Sequence, residues 1–173
     1  SMRVNPLAQI TSSEIIEQMA GVHITSDNPI SVYGLNRRRQ TTDTFLGLPT
    51  SVLGNAYRAI CYNVSDQLMS EFAIVATEDN TIVEITPTVE TVSGRPAGKV
   101  FTINLNRGDV YQVAAKNVYF SPLKCDLTGT LVTSNKNIAF FSGHQCAYVP
   151  DKMLACNHLV EQLPPIPSWG KHY

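Results

Sequence analysis

Phe72-Ala-Ile-Val-Ala76 and Thr81-Ile-Val-Glu-Ile-Thr86 are the two runs that decide the fold class of this chain. Both are rich in apolar and β-branched residues, which favour strands, and the turn-forming cluster Glu78-Asp79-Asn80 separates them. We therefore predict that the two runs pair with each other as a β-hairpin. Pro87 ends the second run, because proline has no backbone N–H to donate to a sheet.

Other strand signals extend along the whole chain. The run Val100–Leu105 alternates apolar and polar residues with the period of two that a half-buried strand requires. Further apolar runs of strand length are 110–113, 127–133 and 138–141. Only Ser12–Met19 and Leu154–Leu163 have any helical character, and both are short. The sequence thus predicts an all-β fold, an antiparallel β-sandwich with long loops.

Length and charge limit the classes of protein to consider. The chain has 173 residues, which suits a single β-rich domain over residues 1–173, and Ser1-Met2 resembles an expression scar. The formal net charge is −1, which gives no attraction for nucleic acid. No run of about 18 apolar residues exists, so the sequence predicts no membrane insertion.

The chain contains an internal repeat. Ile24–Gly34 matches Val132–Ser142 in residue character, and in each copy a Leu-Pro pair follows at some distance, at Leu48-Pro49 and Leu163-Pro164. Because the second copy stops where its next strand should begin, we expect this domain to be a slice of a longer repeating protein. Strands of such a repeat are committed to packing, so function is expected in the long loops.

The four cysteines allow three different pairings into two disulfides. A bridge between Cys146 and Cys156 would close a short, turn-rich loop, and the chain-entropy model assigns it roughly 2.5–3 kcal/mol. Cys61 and Cys125 form a second candidate bridge. The alternative is that all four are buried thiols, since cysteine packs as a small apolar residue.

The same cysteines lie close to two histidines, which permits other chemistry. His144 with Cys146 and Cys156 with His158 would supply a Cys2His2 zinc set, although the spacing within each pair is unusually tight. A Cys-His nucleophile would need a thiolate, which an oxidised Cys146 cannot provide. No catalytic motif occurs elsewhere, so we predict no metal, no cofactor and no enzymatic activity.

Two loops, Arg37–Leu48 and His144–Glu161, form the predicted contact surface. Arg37, Arg38 and Arg39 could receive an acidic glycan or protein, but the interpretation we favour is a solvated turn with one arginine packed on a carboxylate such as Asp43. The candidate ligand-binding residues are Arg37, Arg38, Arg39, His144, Gln145, Tyr148, Asn157 and His158.

Several stretches resemble the family of N-terminal domains found in IgG Fc-binding protein and its bacterial relatives. They run along nearly the whole chain, from Ile24–Asn36 through Glu71–Thr81 to the final block. That block, Ser142-Gly-His-Gln-Cys146 with Cys156-Asn-His-Leu-Val-Glu-Gln-Leu-Pro-Pro165, is the most specific part of the resemblance.

The resemblance implies an extracellular or cell-surface domain that binds rather than catalyses, and it implies pairing of Cys146 with Cys156. It does not by itself imply binding of IgG, and it supplies no binding residue. We expect an adhesion module whose partner is a glycan or a surface or mucus protein. The alternative is a purely structural repeat that spaces or multimerises a larger fibre, and an exposed sheet edge would then allow a homo-oligomer.

Overall fold

The structure is a computed structural model that describes residues 10, 12–37, 39–63, 68–118, 125–150 and 153–170. Its ten strands are β1 (Ile16–Glu17), β2 (Val32–Arg37), β3 (Thr42–Gly47), β4 (Gly54–Arg58), β5 (Ser70–Ala76), β6 (Thr81–Thr86), β7 (Phe101–Leu105), β8 (Val110–Ala114), β9 (Leu131–Ala147) and β10 (Asn157–Gln162). The described residues include two short 3-10 turns, at Thr50–Val52 and Ile166–Ser168. Within these residues, no helix has the length and apolar character needed to cross a membrane.

The 17-residue strand β9 organises the fold, because four other strands pair with it in antiparallel fashion. Along one edge of β9 lie β5, opposite residues 138–144, and then β6, opposite residues 131–134. Along its other edge lie β10, opposite residues 141–147, and then β4, opposite residues 131–138. The two halves of β9 therefore have different neighbours.

The predicted hairpin between Phe72–Ala76 and Thr81–Thr86 is wrong, although both runs are strands. β5 and β6 follow one another along the same edge of β9, with Ala76 opposite Ile138 and Val83 opposite Ser134. The turn cluster between them displaces the chain without reversing its direction. Asn80, within this turn, adopts a positive φ of 55°. Because β9 is long enough to satisfy both strands, neither needs the other as a hydrogen-bonding partner.

This displacement carries the chain from one sheet to the other. β8 pairs with β5 and β1 pairs with β8, whereas β7 pairs with β6. One layer is thus β1-β8-β5-β9-β10 and the other is β7-β6-β9-β4, with β9 shared between them. The predicted all-β, antiparallel sandwich is confirmed.

The core lies between the two layers and follows the alternation that the sequence predicts. Phe72 and Ile74 on β5, and Val83 and Ile85 on β6, are at most 1% exposed. Phe140 on β9 lies among them, with ring centroids 5.2 Å from Tyr57 and 5.3 Å from Phe72. Burying an aromatic ring of this size supplies a large share of the stabilisation of so small a core.

Strands β2 and β3 form a separate two-stranded sheet, called here the first hairpin. It packs against β10 and the neighbouring outer face of β9, where the rings of Phe45 and Phe141 meet edge to face at 5.2 Å. Gly34 makes this contact feasible, since a Cβ at that position would lie 2.2 Å from Cζ of Phe45. The inner face of the first hairpin therefore packs against the sandwich.

The matched segments of the repeat differ in conformation. Val132–Ser142 lies wholly within β9, whereas in Ile24–Gly34 only the last three residues belong to a strand. Val132 is fully buried between the layers, but Ile24 is 43% exposed, so the two copies meet different surroundings. The Leu-Pro pairs are alike, since each precedes one of the 3-10 turns. Whether the chain is a slice of a longer repeating protein stays a prediction.

Neither segment of helical character forms an α-helix. Leu154–Leu163 contains β10, which pairs along β9 from Asn157 to Gln162. Ser12–Met19 contains only the two-residue strand β1, which pairs with β8. In both cases the free edge of a sheet offers more hydrogen-bonding partners than an isolated short helix could supply.

Candidate functional site

A disulfide joins Cys146 and Cys156, as predicted, with the two Cα atoms 5.1 Å apart. It links the end of β9 to the residue that precedes β10 and so closes the cysteine loop, residues 147–155. Because both sulfur atoms are in the disulfide, they cannot complete a Cys2His2 zinc set. For the same reason, Cys146 cannot act as a thiolate nucleophile.

The second candidate bridge does not form, and that prediction is corrected: Cys61 and Cys125 both carry thiols. The Cys61 sulfur donates to the carbonyl of Glu71 over 3.4 Å, while the Cys125 sulfur accepts from the backbone N–H of Val118 at 3.0 Å. Burial raises the pKa of the Cys61 thiol to about 11. This thiol is therefore protonated at neutral pH and unsuited to nucleophilic chemistry.

Asn157, the first residue of β10, fastens the tip of the first hairpin to the start of that strand. Its side-chain oxygen accepts from the Thr41 hydroxyl and from the backbone N–H of Thr42, and its Nδ2 donates to the Thr42 carbonyl. The Thr41 hydroxyl oxygen in turn accepts from the backbone N–H of His158 at 2.6 Å. Segments 115 residues apart in sequence are thereby held together.

Two histidines stabilise the same junction through hydrogen bonds. The Nδ1 of His158 donates to the carbonyl of His144 at 2.9 Å, which leaves Nε2 of His158 to accept from Asn36 at 3.2 Å. His144 is fully buried, and its Nδ1 accepts from the backbone N–H of Cys146 at 3.0 Å. Desolvation lowers the pKa of His144 to about 4, so its ring is neutral at pH 7.

Asp43 attaches the first hairpin to the edge of β10. One carboxylate oxygen accepts from the backbone N–H of Val160 at 2.8 Å, and the other accepts from the N–H of Thr44 at 2.8 Å. Further along, the side-chain oxygen of Gln162 accepts from the N–H of Leu48. Neither Arg37 nor Arg39 forms an ion pair with Asp43, and Arg38 lies outside the described residues, so the packing of an arginine on this carboxylate stays a prediction.

These contacts leave an open, polar cleft of about 570 Å³ between the hairpin tip and the cysteine loop, called here the arginine cleft. Arg37 and Arg39 are exposed there, and neither forms an ion pair with another described residue. A guanidinium without a counter-charge is suited to a carboxylate, sulfate or phosphate group, which it can hold through two parallel hydrogen bonds. The lining residues are Arg37, Arg39, Gln40, Thr41, Thr42, Ala155, Cys156 and Asn157.

The structure separates the predicted ligand-binding residues into two groups. Arg37, Arg39 and Asn157 line the arginine cleft, while Arg38 lies outside the described residues.

His144 is corrected from a surface contact to a buried residue, because the alternation of β9 directs it into the sandwich. The side-chain oxygen of Gln145 accepts from the backbone N–H of Met69, next to β5. The ring of His158 donates to the carbonyl of His144 and so stabilises the junction. Tyr148 is half-buried and does not line the cleft.

Sequence reasoning missed Gln40, Thr41, Thr42 and Ala155 as lining residues. All four fall within the two loops that were predicted to form the contact surface, but their residue types carry no signal of binding. These residues line the cleft because Thr41 and Thr42 pair with Asn157 across the two loops. A contact between polar residues so far apart in sequence has no signature in a single chain.

Replacing both loop cysteines, as Cys146→Ser with Cys156→Ser, is expected to lower the free energy of unfolding by about 2.8 kcal/mol. The physical reason is the entropy that the unfolded chain regains when a loop closed between positions ten apart is opened. Urea denaturation of the two proteins measures the difference. A reduced wild type should match the double variant, and no change in either would contradict the prediction.

Comparison with known proteins places this chain in a family. The model of the family described as IgGFc binding protein matches residues 43–173. The human protein named "IgGFc-binding protein" is 33% identical over 176 residues, and the match covers 99% of this chain but only 3% of that protein.

No solved structure matches. Arg37 and Arg39 precede the residues that the family model matches, whereas the disulfide and β10 lie within them. This chain belongs to the IgGFc binding protein family.

Proposed function

We propose that this domain is an extracellular, non-catalytic binding module, and that the arginine cleft holds an acidic group of a protein ligand. The observation that carries the proposal is the meeting of the two predicted loops around Arg37 and Arg39, which have no ion pair with described residues. Two guanidinium groups at the rim of an open cleft would attract an anionic surface and fix its orientation.

The cysteines support both parts of the proposal, namely that the domain is extracellular and that it binds a ligand without catalysing a reaction. A disulfide between Cys146 and Cys156 persists in oxidising compartments and is rare in the cytosol. The buried Cys61 thiol, with its pKa raised to about 11, is a poor nucleophile.

The cleft is also pre-organised, because the disulfide fixes the wall that carries Ala155 and Cys156, and Asn157 joins this wall to Thr42 in the other. A wall that is already ordered loses little entropy when a ligand binds.

The relative's name makes the Fc fragment of IgG the first probe to use. We expect the domain to bind immobilised Fc in surface plasmon resonance, and the double variant Arg37→Glu with Arg39→Glu to bind about tenfold more weakly or worse. The matched control is Lys99→Glu, an exposed cation outside the cleft, which should bind like the wild type. Raised salt should weaken the wild-type complex, since exposed charges are screened.

A glycan array with sialylated and sulfated sugars tests the other source of anionic groups. If the domain binds these sugars and the binding depends on Arg37 and Arg39, the cleft remains the binding site but its ligand is a glycan and not a protein. Binding to Fc that is unchanged in the double variant would place the contact elsewhere. If the domain binds neither immobilised Fc nor any sugar on the array, the proposed function is contradicted.

A further inference from the structure

The first hairpin exposes an apolar face that nothing described in the structure covers. Tyr33 is 73% exposed, Leu35 61% and Leu46 44%. Tyr33 lies directly opposite Leu46 in the β2–β3 ladder, and Leu35 lies beside both on the same face. Apolar side chains gathered on one face of a surface hairpin are typical of a contact with another protein.

The outer edge of β2 is also open, and the hydrogen bonds of Thr42 show which groups face it. Thr42 directs its N–H and its carbonyl to Asn157, away from β2, so Arg37 and Thr42 form a non-hydrogen-bonded pair. In an antiparallel ladder such pairs alternate with hydrogen-bonded ones. Tyr33, Leu35 and Arg37 therefore direct their backbone N–H and carbonyl groups outward. Among the described strands, only β3 pairs with β2.

The charges at the two ends of β2 have opposite signs. The exposed Asp27 precedes the strand, while Arg37 ends it and Arg39 follows it. If two copies of β2 lie antiparallel across a two-fold axis, the acidic end of each meets the basic end of the other. A parallel arrangement would instead bring like charges together. The charge pattern is thus complementary to itself in one orientation only.

We propose that a second copy of this chain pairs antiparallel with the open edge of β2. The two first hairpins would form a continuous four-stranded sheet, β3-β2-β2-β3, with Tyr33 and Leu35 of each copy beside those of its partner. Cross-strand aromatic and aliphatic pairs of this kind stabilise antiparallel edges. The contact area is small, so the dimer is weak and depends on concentration. This surface is separate from the arginine cleft, although Arg37 and Arg39 border both.

Sedimentation velocity over a concentration series tests the proposal. We expect the wild type to dimerise at low salt, and Leu35→Lys to weaken dimerisation about tenfold or more, because a lysine on an edge strand opposes pairing. Ile82→Lys, at a 46% exposed position on β6, is the matched control and should dimerise like the wild type. Circular dichroism confirms that both variants fold.

A charge exchange tests the orientation. Asp27→Arg should weaken the dimer, and adding Arg37→Asp with Arg39→Asp should restore it, since each end would again meet its opposite. A wild type that stays monomeric at every concentration would overturn the proposal, as would a dimer that Leu35→Lys leaves unchanged. Fc binding by the monomeric Leu35→Lys variant would show that the proposed function stands independently of this interface.

Discussion

Phe140→Ala is expected to lower the free energy of unfolding by about 3–5 kcal/mol. The ring is fully buried, stacks on Tyr57 at 5.2 Å and meets Phe72 in a tilted contact at 5.3 Å. Its removal leaves a cavity where strands from three parts of the chain meet around β9. Urea denaturation followed by tryptophan fluorescence or circular dichroism measures the loss.

Phe141→Ala is the control, because the neighbouring residue points to the other face of β9. Phe141 is only half-buried and contacts Phe45 of the first hairpin. We expect its removal to cost less than half as much stability and to loosen the hairpin without weakening the sandwich. Equal losses for the two variants would show that the core is not centred on Phe140.

Acid should destabilise this domain through His144. Burial holds the pKa of the folded-state ring at about 4, against an ordinary value near 6.5. Between these values the unfolded chain binds the proton and the folded chain does not, so stability falls as pH falls from 6.5 to 4. The lowered pKa contributes roughly 3 kcal/mol of stability, which is present at pH 7 and is lost as the pH falls through about 4.

His144→Asn removes the titrating ring and keeps an acceptor for the N–H of Cys146. Its free energy of unfolding should therefore fall less steeply than that of the wild type when both are measured by urea denaturation between pH 7 and pH 4. Two parallel curves would show that His144 does not contribute to acid sensitivity.

The arginine cleft shows how far a single sequence can lead to a site. The three consecutive arginines and the cysteine-bounded loop were visible as candidates, because charge clusters and cysteine spacing are local features. The sequence did not predict that the Asp43 carboxylate accepts from the backbone N–H of Val160 on β10. No local pattern shows that a carboxylate will be needed at the edge of a strand 117 positions away.

The histidines illustrate the same limit from the other side. His144 and His158 occupy symmetrical positions about the two loop cysteines and have the same chemistry. One is fully buried in the sandwich, and the other bridges two elements at its surface. Their roles differ because β9 continues as a strand to Ala147, and its alternation assigns His144 to the inner face.

The sequence by itself determined the all-β class and the position of most strands, since these depend on alternation along the chain, and the close spacing of Cys146 and Cys156 made their bridge the favoured pairing. Tertiary structure alone decided that Phe72–Ala76 and Thr81–Thr86 share the edge of β9 instead of forming a hairpin. It also decided that Thr42 meets Asn157 to form the cleft. The physical reason is that a strand can satisfy its hydrogen bonds with any open edge, and the folded sandwich determines which edges are open.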